Sequence, residues 1–119
     1  MKRLCSFILT VSLLASLAAC AGGASSDAPL NLILKAKDIA FDVTHFEAKQ
    51  GQTINITYTN EGALEHNFVI EEFDVAANIL PGETTTITFT ANKTGAFKYH
   101  CTIPGHTEAG MVGEIIVTP

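Results

Sequence analysis

Two segments of this 119-residue chain alternate apolar and polar side chains with a strict period of two, and they leave little choice of fold class. In Thr53-Ile54-Asn55-Ile56-Thr57-Tyr58-Thr59-Asn60, the residues Ile54, Ile56 and Tyr58 share one side. In Thr84 to Thr90, Ile87 and Phe89 do the same among threonines. Successive side chains of an extended strand point to opposite faces, so each segment predicts a strand with one wet face and one buried face. Their β-branched and aromatic content suits a pleated, half-buried surface. Leu30 to Ala36 predicts a first strand, and Ile39 to Val43 begins the next apolar run. Phe68-Val69-Ile70, Ala96 to Tyr99 and Glu114 to Thr118 predict further short strands. Turn residues separate them at Lys49 to Gln52, Asn60 to Gly62, Pro81-Gly82 and Asn92 to Gly95. Glu71 to Leu80 is the least regular stretch and reads as a loop or one helical turn. Short strands at even spacing predict an all-β, Greek-key β-sandwich or barrel of about seven to eight strands.

The length leaves room for one domain. Residues 1–19 read as a signal peptide, with Lys2-Arg3 before an apolar run from Leu4 to Leu17 that is too short for a stable span. Leu17-Ala18-Ala19-Cys20 resembles the lipobox of bacterial lipoproteins, which implies cleavage before Cys20 and acylation of that cysteine. Ordinary secretion, with cleavage in the same Ala-rich stretch, is the other reading. Residues 20–29, the lipidated cysteine and a Gly/Ala/Ser linker, then lead into a domain over 30–119. The expected location is extracytoplasmic and membrane-anchored, on the periplasmic or cell-surface side. Of seven basic side chains, Lys2 and Arg3 lie in the leader, which leaves the rest with five Lys against 12 acids, a net of −7. That balance argues against nucleic-acid binding and favours a partner with a basic docking patch.

Cysteine usage sharpens the reading. Cys5 leaves with the leader and Cys20 takes the lipid, so Cys101 remains in an oxidising compartment with no intramolecular disulfide partner. A lone exported thiol is an oxidation liability unless something captures it. Cys101 opens a Cys-x4-His-x4-Met loop with His106 and Met111, rich in turn formers (Pro104, Gly105, Gly110, Gly113). A second imidazole, His66, stands 35 residues upstream at the start of an apolar run. One Cys, two His and one Met form the donor set of a mononuclear blue-copper site, with a His2Cys plane and a weak axial Met.

At these residues the chain resembles the cupredoxins, the family of small blue-copper proteins, over about Ile39 to Val117. Its loop spacing is most similar to that of the auracyanins. The resemblance implies one copper bound by His66, Cys101, His106 and, axially, Met111. It implies that Asn67 ties the strand of His66 to the cysteine loop by hydrogen bonds. It also implies that His106 presents a ring edge within an apolar patch, for which Ile103, Pro104, Ala109 and Val112 are local candidates. His100 precedes Cys101 on a strand and is expected to face away from the site, while His45 reads as a solvated surface residue. Phe97 and Tyr99 read as strand and core residues.

The function these readings predict is one-electron transfer, by a monomer that is not an enzyme. The membrane leash suits exchange among redox partners such as a c-type cytochrome, a quinol-oxidising complex, a terminal oxidase, a reductase or a reaction centre. The competing reading is extracytoplasmic copper binding and delivery, for which exposed Met- or His-rich runs are expected and not found. A binuclear copper enzyme would need a second cysteine in the loop, and Ile103 to Ala109 has none. A metal-free interaction module would leave the donor set without purpose.

Overall fold

The computed structural model describes residues 27–119. The leader, Cys20 and most of the linker lie outside the described residues. Nine strands follow in order: β1 (Leu30–Lys37), β2 (Ala40–Phe41), β3 (His45–Lys49), β4 (Thr53–Asn60), β5 (His66–Ile70), β6 (Val75–Ile79), β7 (Thr84–Thr90), β8 (Gly95–His100) and β9 (Val112–Thr118). One sheet runs β2-β1-β4-β7 and the other β3-β9-β8-β5-β6. β1 lies parallel to β4, and β3 parallel to β9; the other pairs are antiparallel. The two sheets form the all-β sandwich expected from the alternation.

The alternating segments bury the faces they predict. Ile54, Ile56 and Tyr58 of β4 are fully buried, and Ile87 and Phe89 of β7 nearly so. From the facing sheet come Phe68, Ile70, Tyr99, Ile115 and Val117. Phe41, Tyr58, Phe68 and Tyr99 make an aromatic knot, with ring centroids 5.1 Å apart for Phe68–Tyr99 and 5.5 Å for Phe41–Tyr99. Such pairs contribute about 0.5–1.5 kcal/mol each beyond the area they bury. The Tyr99 hydroxyl donates to Val43 O at 2.7 Å, so the largest side chain of β8 is pinned at both ends.

The strand count exceeds the expected seven to eight for two reasons. β2 is only two residues long. The stretch expected to be a loop or one helical turn holds both a single 3-10 turn, Glu71–Phe73, and strand β6. Asp74, in left-handed conformation (φ 54°), separates the two. Val75-Ala76-Ala77-Asn78-Ile79 has weak strand propensity, and its pairing with β5 decides its conformation.

Three strand ends meet at one end of the five-stranded sheet and position the site. β5 begins at His66, β8 ends at His100 and β9 begins at Val112. His100 lies opposite both Val69 and Val112. The loop 101–111 therefore closes over the start of β5.

Candidate metal centre

The loop is wound by its own backbone. Cys101 N–H donates to Met111 O at 3.1 Å, and Met111 N–H donates to His106 O at 3.0 Å. Three residues spread over eleven positions are thereby linked through the main chain. Gly105 (φ 85°) and Gly110 (φ 100°) take the left-handed turns this winding needs, a conformation other residues adopt at a cost. Thr107 Oγ1 donates to Cys101 O at 2.7 Å and closes the loop from inside.

Winding brings three donors together. His66, Cys101 and His106 offer ligand atoms that all lie within 4.8 Å of one another, and all three side chains are buried. His66 Nδ1 and His106 Nδ1 are 3.2 Å apart, and Cys101 Sγ is 3.4 Å from His106 Nδ1. Met111 is fully buried in the same loop. The spacings fit a first-row metal: bonds of about 2.0 Å to nitrogen and 2.3 Å to sulfur, at angles of about 105–120°, separate donors by about 3.2–3.7 Å. Thiolate, imidazole and thioether are the soft and borderline donors that copper takes.

The surroundings of the donors are ordered. Asn67 side-chain Nδ2 donates to Thr102 Oγ1 at 2.8 Å, and Thr102 N–H donates to Asn67 Oδ1 at 2.7 Å. Asn67 N–H points at Cys101 Sγ at 3.4 Å. The start of β5 is thus stapled to the residue after the cysteine. Burial lowers the His66 imidazole below its usual range; His106 lowers it further, and the Asp38 carboxylate opposes both. Burial, with Cys101 adding to it, pushes the Tyr58 phenol up.

The other histidines fall where the sequence put them, with partners it did not disclose. His100 turns away from the donors: its Nε2 meets Glu71 Oε1 at 2.8 Å and its Nδ1 meets Thr107 Oγ1 at 3.2 Å. His45 is exposed, between Glu47 (3.6 Å) and Glu114 (3.9 Å). Pro104 and Ala109 are exposed beside His106, and Ile103 and Val112 are half-buried. Exposed Leu64 and Leu80, in the loops flanking β5 and β6, extend the apolar surface at this end. Sequence reasoning missed Asp38, Thr102 and Thr107. Thr102 and Thr107 each adjoin a donor in sequence, which is the only signal available for them; Asp38, 28 positions before His66, offers none.

Comparison with known proteins is consistent with this geometry. Residues 7–117 match the cupredoxin-like domain family. Auracyanin-A of Chloroflexus aurantiacus is 30% identical, over 85% of this chain and 88% of its own length. Nitrous-oxide reductase of Stutzerimonas stutzeri is 38% identical over 67% of this chain, but the chain spans only 13% of that protein. The crystal structure of dithionite-reduced auracyanin from Roseiflexus castenholzii superposes with a TM-score of 0.69 at 28% identity, over 78% of this chain and all of the auracyanin.

Proposed function

This chain belongs to the cupredoxin-like domain family, and we propose that it is a blue-copper electron carrier whose one copper is held by His66, Cys101, His106 and Met111. The observation that carries the reading is the convergence of two imidazole nitrogens and one thiol within 4.8 Å, all buried, in a chain whose Cys101 has no disulfide. Bound copper supplies a one-electron couple. The residues do the rest. Cys101 binds as thiolate, and Asn67 N–H orients its sulfur. His66 and His106 bind through Nδ1, the atoms that already face each other. Burial of all four side chains excludes water. His106 is the donor nearest the surface, at 7% exposure, so its ring edge and the apolar residues around it form the route for electrons.

Four protein donors leave no position for a substrate, which supports a carrier over an enzyme. The nitrous-oxide reductase likeness covers a small part of that protein, so its catalysis does not transfer. Cys20 lipidation and the division into leader (1–19), linker (20–29) and domain (30–119) complete the proposal, with the domain held outside the cytoplasm. Among the described residues no helix is long and apolar enough to cross a membrane. The partners proposed are membrane-associated redox proteins.

The test is the visible spectrum during titration with Cu(II). The expected result is an intense blue or blue-green band saturating at one copper per chain, bleached by ascorbate and lost in Cys101→Ser. A band that survives Cys101→Ser refutes the assignment. Copper binding without the band would favour delivery.

A further inference from the structure

His66 is fully buried, and its Nε2 has no hydrogen-bond partner among the described residues. A buried polar atom left unpaired has lost its water without a replacement, so what faces it matters. Asp38 Oδ1 faces it at 3.7 Å. That is longer than a hydrogen bond but close for a charge and an N–H dipole.

Asp38 is held in place independently of His66. Ala63 N–H reaches both of its oxygens, at 2.9 and 3.1 Å, and Leu64 N–H reaches Oδ1 at 3.3 Å. These residues belong to the loop that runs straight into β5. Space is kept for the carboxylate by Gly62, where a Cβ would overlap Oδ1. The acid is therefore clamped between the β1–β2 connection and the loop that delivers His66.

This arrangement decides a proton position. His66 Nδ1 and His106 Nδ1 are 3.2 Å apart, and between two neutral imidazoles one nitrogen must donate and the other accept. If His66 donated from Nδ1, its bare Nε2 lone pair would face a carboxylate. We propose that Asp38 is a positioning residue for His66: it holds the proton on Nε2, which keeps the Nδ1 lone pair free for the metal. Its negative charge also favours the more highly charged oxidation state of the bound ion. This second half rests on the copper reading; the first concerns the metal-free protein.

The experiment has two readouts. Nitrogen chemical shifts of the labelled histidines in the metal-free protein at neutral pH are expected to give His66 as Nε2–H and His106 as Nδ1–H. A His66 that carries its proton on Nδ1 overturns the proposal. In Asp38→Asn, Oδ1 still accepts from Ala63 and Leu64 and only the Ala63 contact with Oδ2 is lost, so the charge is removed while most of the clamp is kept. The copper-loaded variant is expected to keep its colour and to lose about tenfold in its Cu(II)/Cu(I) affinity ratio. For one electron that is a rise in potential of about 59 mV. A potential that is unchanged or lower, with only thermal stability reduced, makes Asp38 a loop residue and also overturns the proposal. If the native protein takes up no copper, the carrier reading fails, while the metal-free histidine spectrum still decides the role of Asp38.

Discussion

Replacing Asn67 by Ala isolates the staple between β5 and the cysteine loop. The substitution removes two hydrogen bonds, Nδ2 to Thr102 Oγ1 (2.8 Å) and Thr102 N–H to Oδ1 (2.7 Å), and leaves the backbone N–H that faces Cys101 Sγ. A net hydrogen bond contributes about 0.5–1.5 kcal/mol, and both of these lie toward solvent, so the loss is about 1–2 kcal/mol. For a domain of this size, each kcal/mol moves the midpoint by about 4–8 °C, which predicts a fall in Tm of about 5–15 °C. The assay is thermal unfolding of the metal-free protein by circular dichroism, so that metal binding does not mask the effect. Thr102→Val removes one of the two bonds while keeping its backbone N–H donor. The double variant should therefore be less destabilised than the sum of the singles, with a coupling of about 0.5–1 kcal/mol. A Tm for Asn67→Ala within about 2 °C of the native value, or strict additivity with Thr102→Val, would refute the staple.

Three other outcomes are expected. Gly113→Ala should cost about 1–3 kcal/mol, because the new Cβ would overlap the Tyr99 ring, which Val43 O holds by its hydroxyl; a native Tm in calorimetry would contradict this. Met111→Leu nearly conserves buried volume and should keep the colour while raising the reduction potential, since it removes a donor that stabilises Cu(II); voltammetry giving an equal or lower potential would take Met111 out of the axial role. Acid should destabilise the metal-free protein. Burial first, and then His106, holds the His66 imidazole below its ordinary 6.5, so the unfolded chain binds the proton more readily. The stability gained at high pH is lost as pH falls below about 6.5, and the loss levels off once pH passes the lower folded value. A urea midpoint equal at pH 7.5 and 5.5 would falsify that sign.

The parts of the fold legible in the sequence were those where burial and periodicity coincide. Ile54, Ile56 and Tyr58 bury one face of β4 in a period no helix could satisfy. The Cys101–His106–Met111 loop was legible because its donors lie on one short stretch that glycines wind into a turn. β6 was hidden because alanine and asparagine carry no strand signal and pairing with β5 supplies the missing preference. Asp38 was hidden for a different reason. Its contact with His66 depends on how the β1–β2 connection approaches the β4–β5 loop, and no local pattern encodes that approach. The same holds for Glu71, which reaches His100 across 29 positions.

The order of the site does not depend on an ion to create it. Cys101 and Met111 are joined through N–H···O bonds, Met111 to His106 in the same way, and β5 to Thr102 through Asn67. Each of these contacts is made by backbone or by a neutral side chain, so none depends on the charge state of the centre. A donor set held this way resists moving when charge is added or removed, because any shift must break main-chain bonds that the electron does not touch. The donor chemistry would serve the same end with copper bound: the soft thiolate suits the reduced ion and the imidazoles the oxidised one. A scaffold built to deliver metal would need the opposite, donors that release when a partner approaches. Here the only donor close to solvent is His106, at 7% exposure, and its carbonyl is tied into the loop by Met111 N–H. On the proposed carrier reading, electrons would pass through His106 while the ion stays in place.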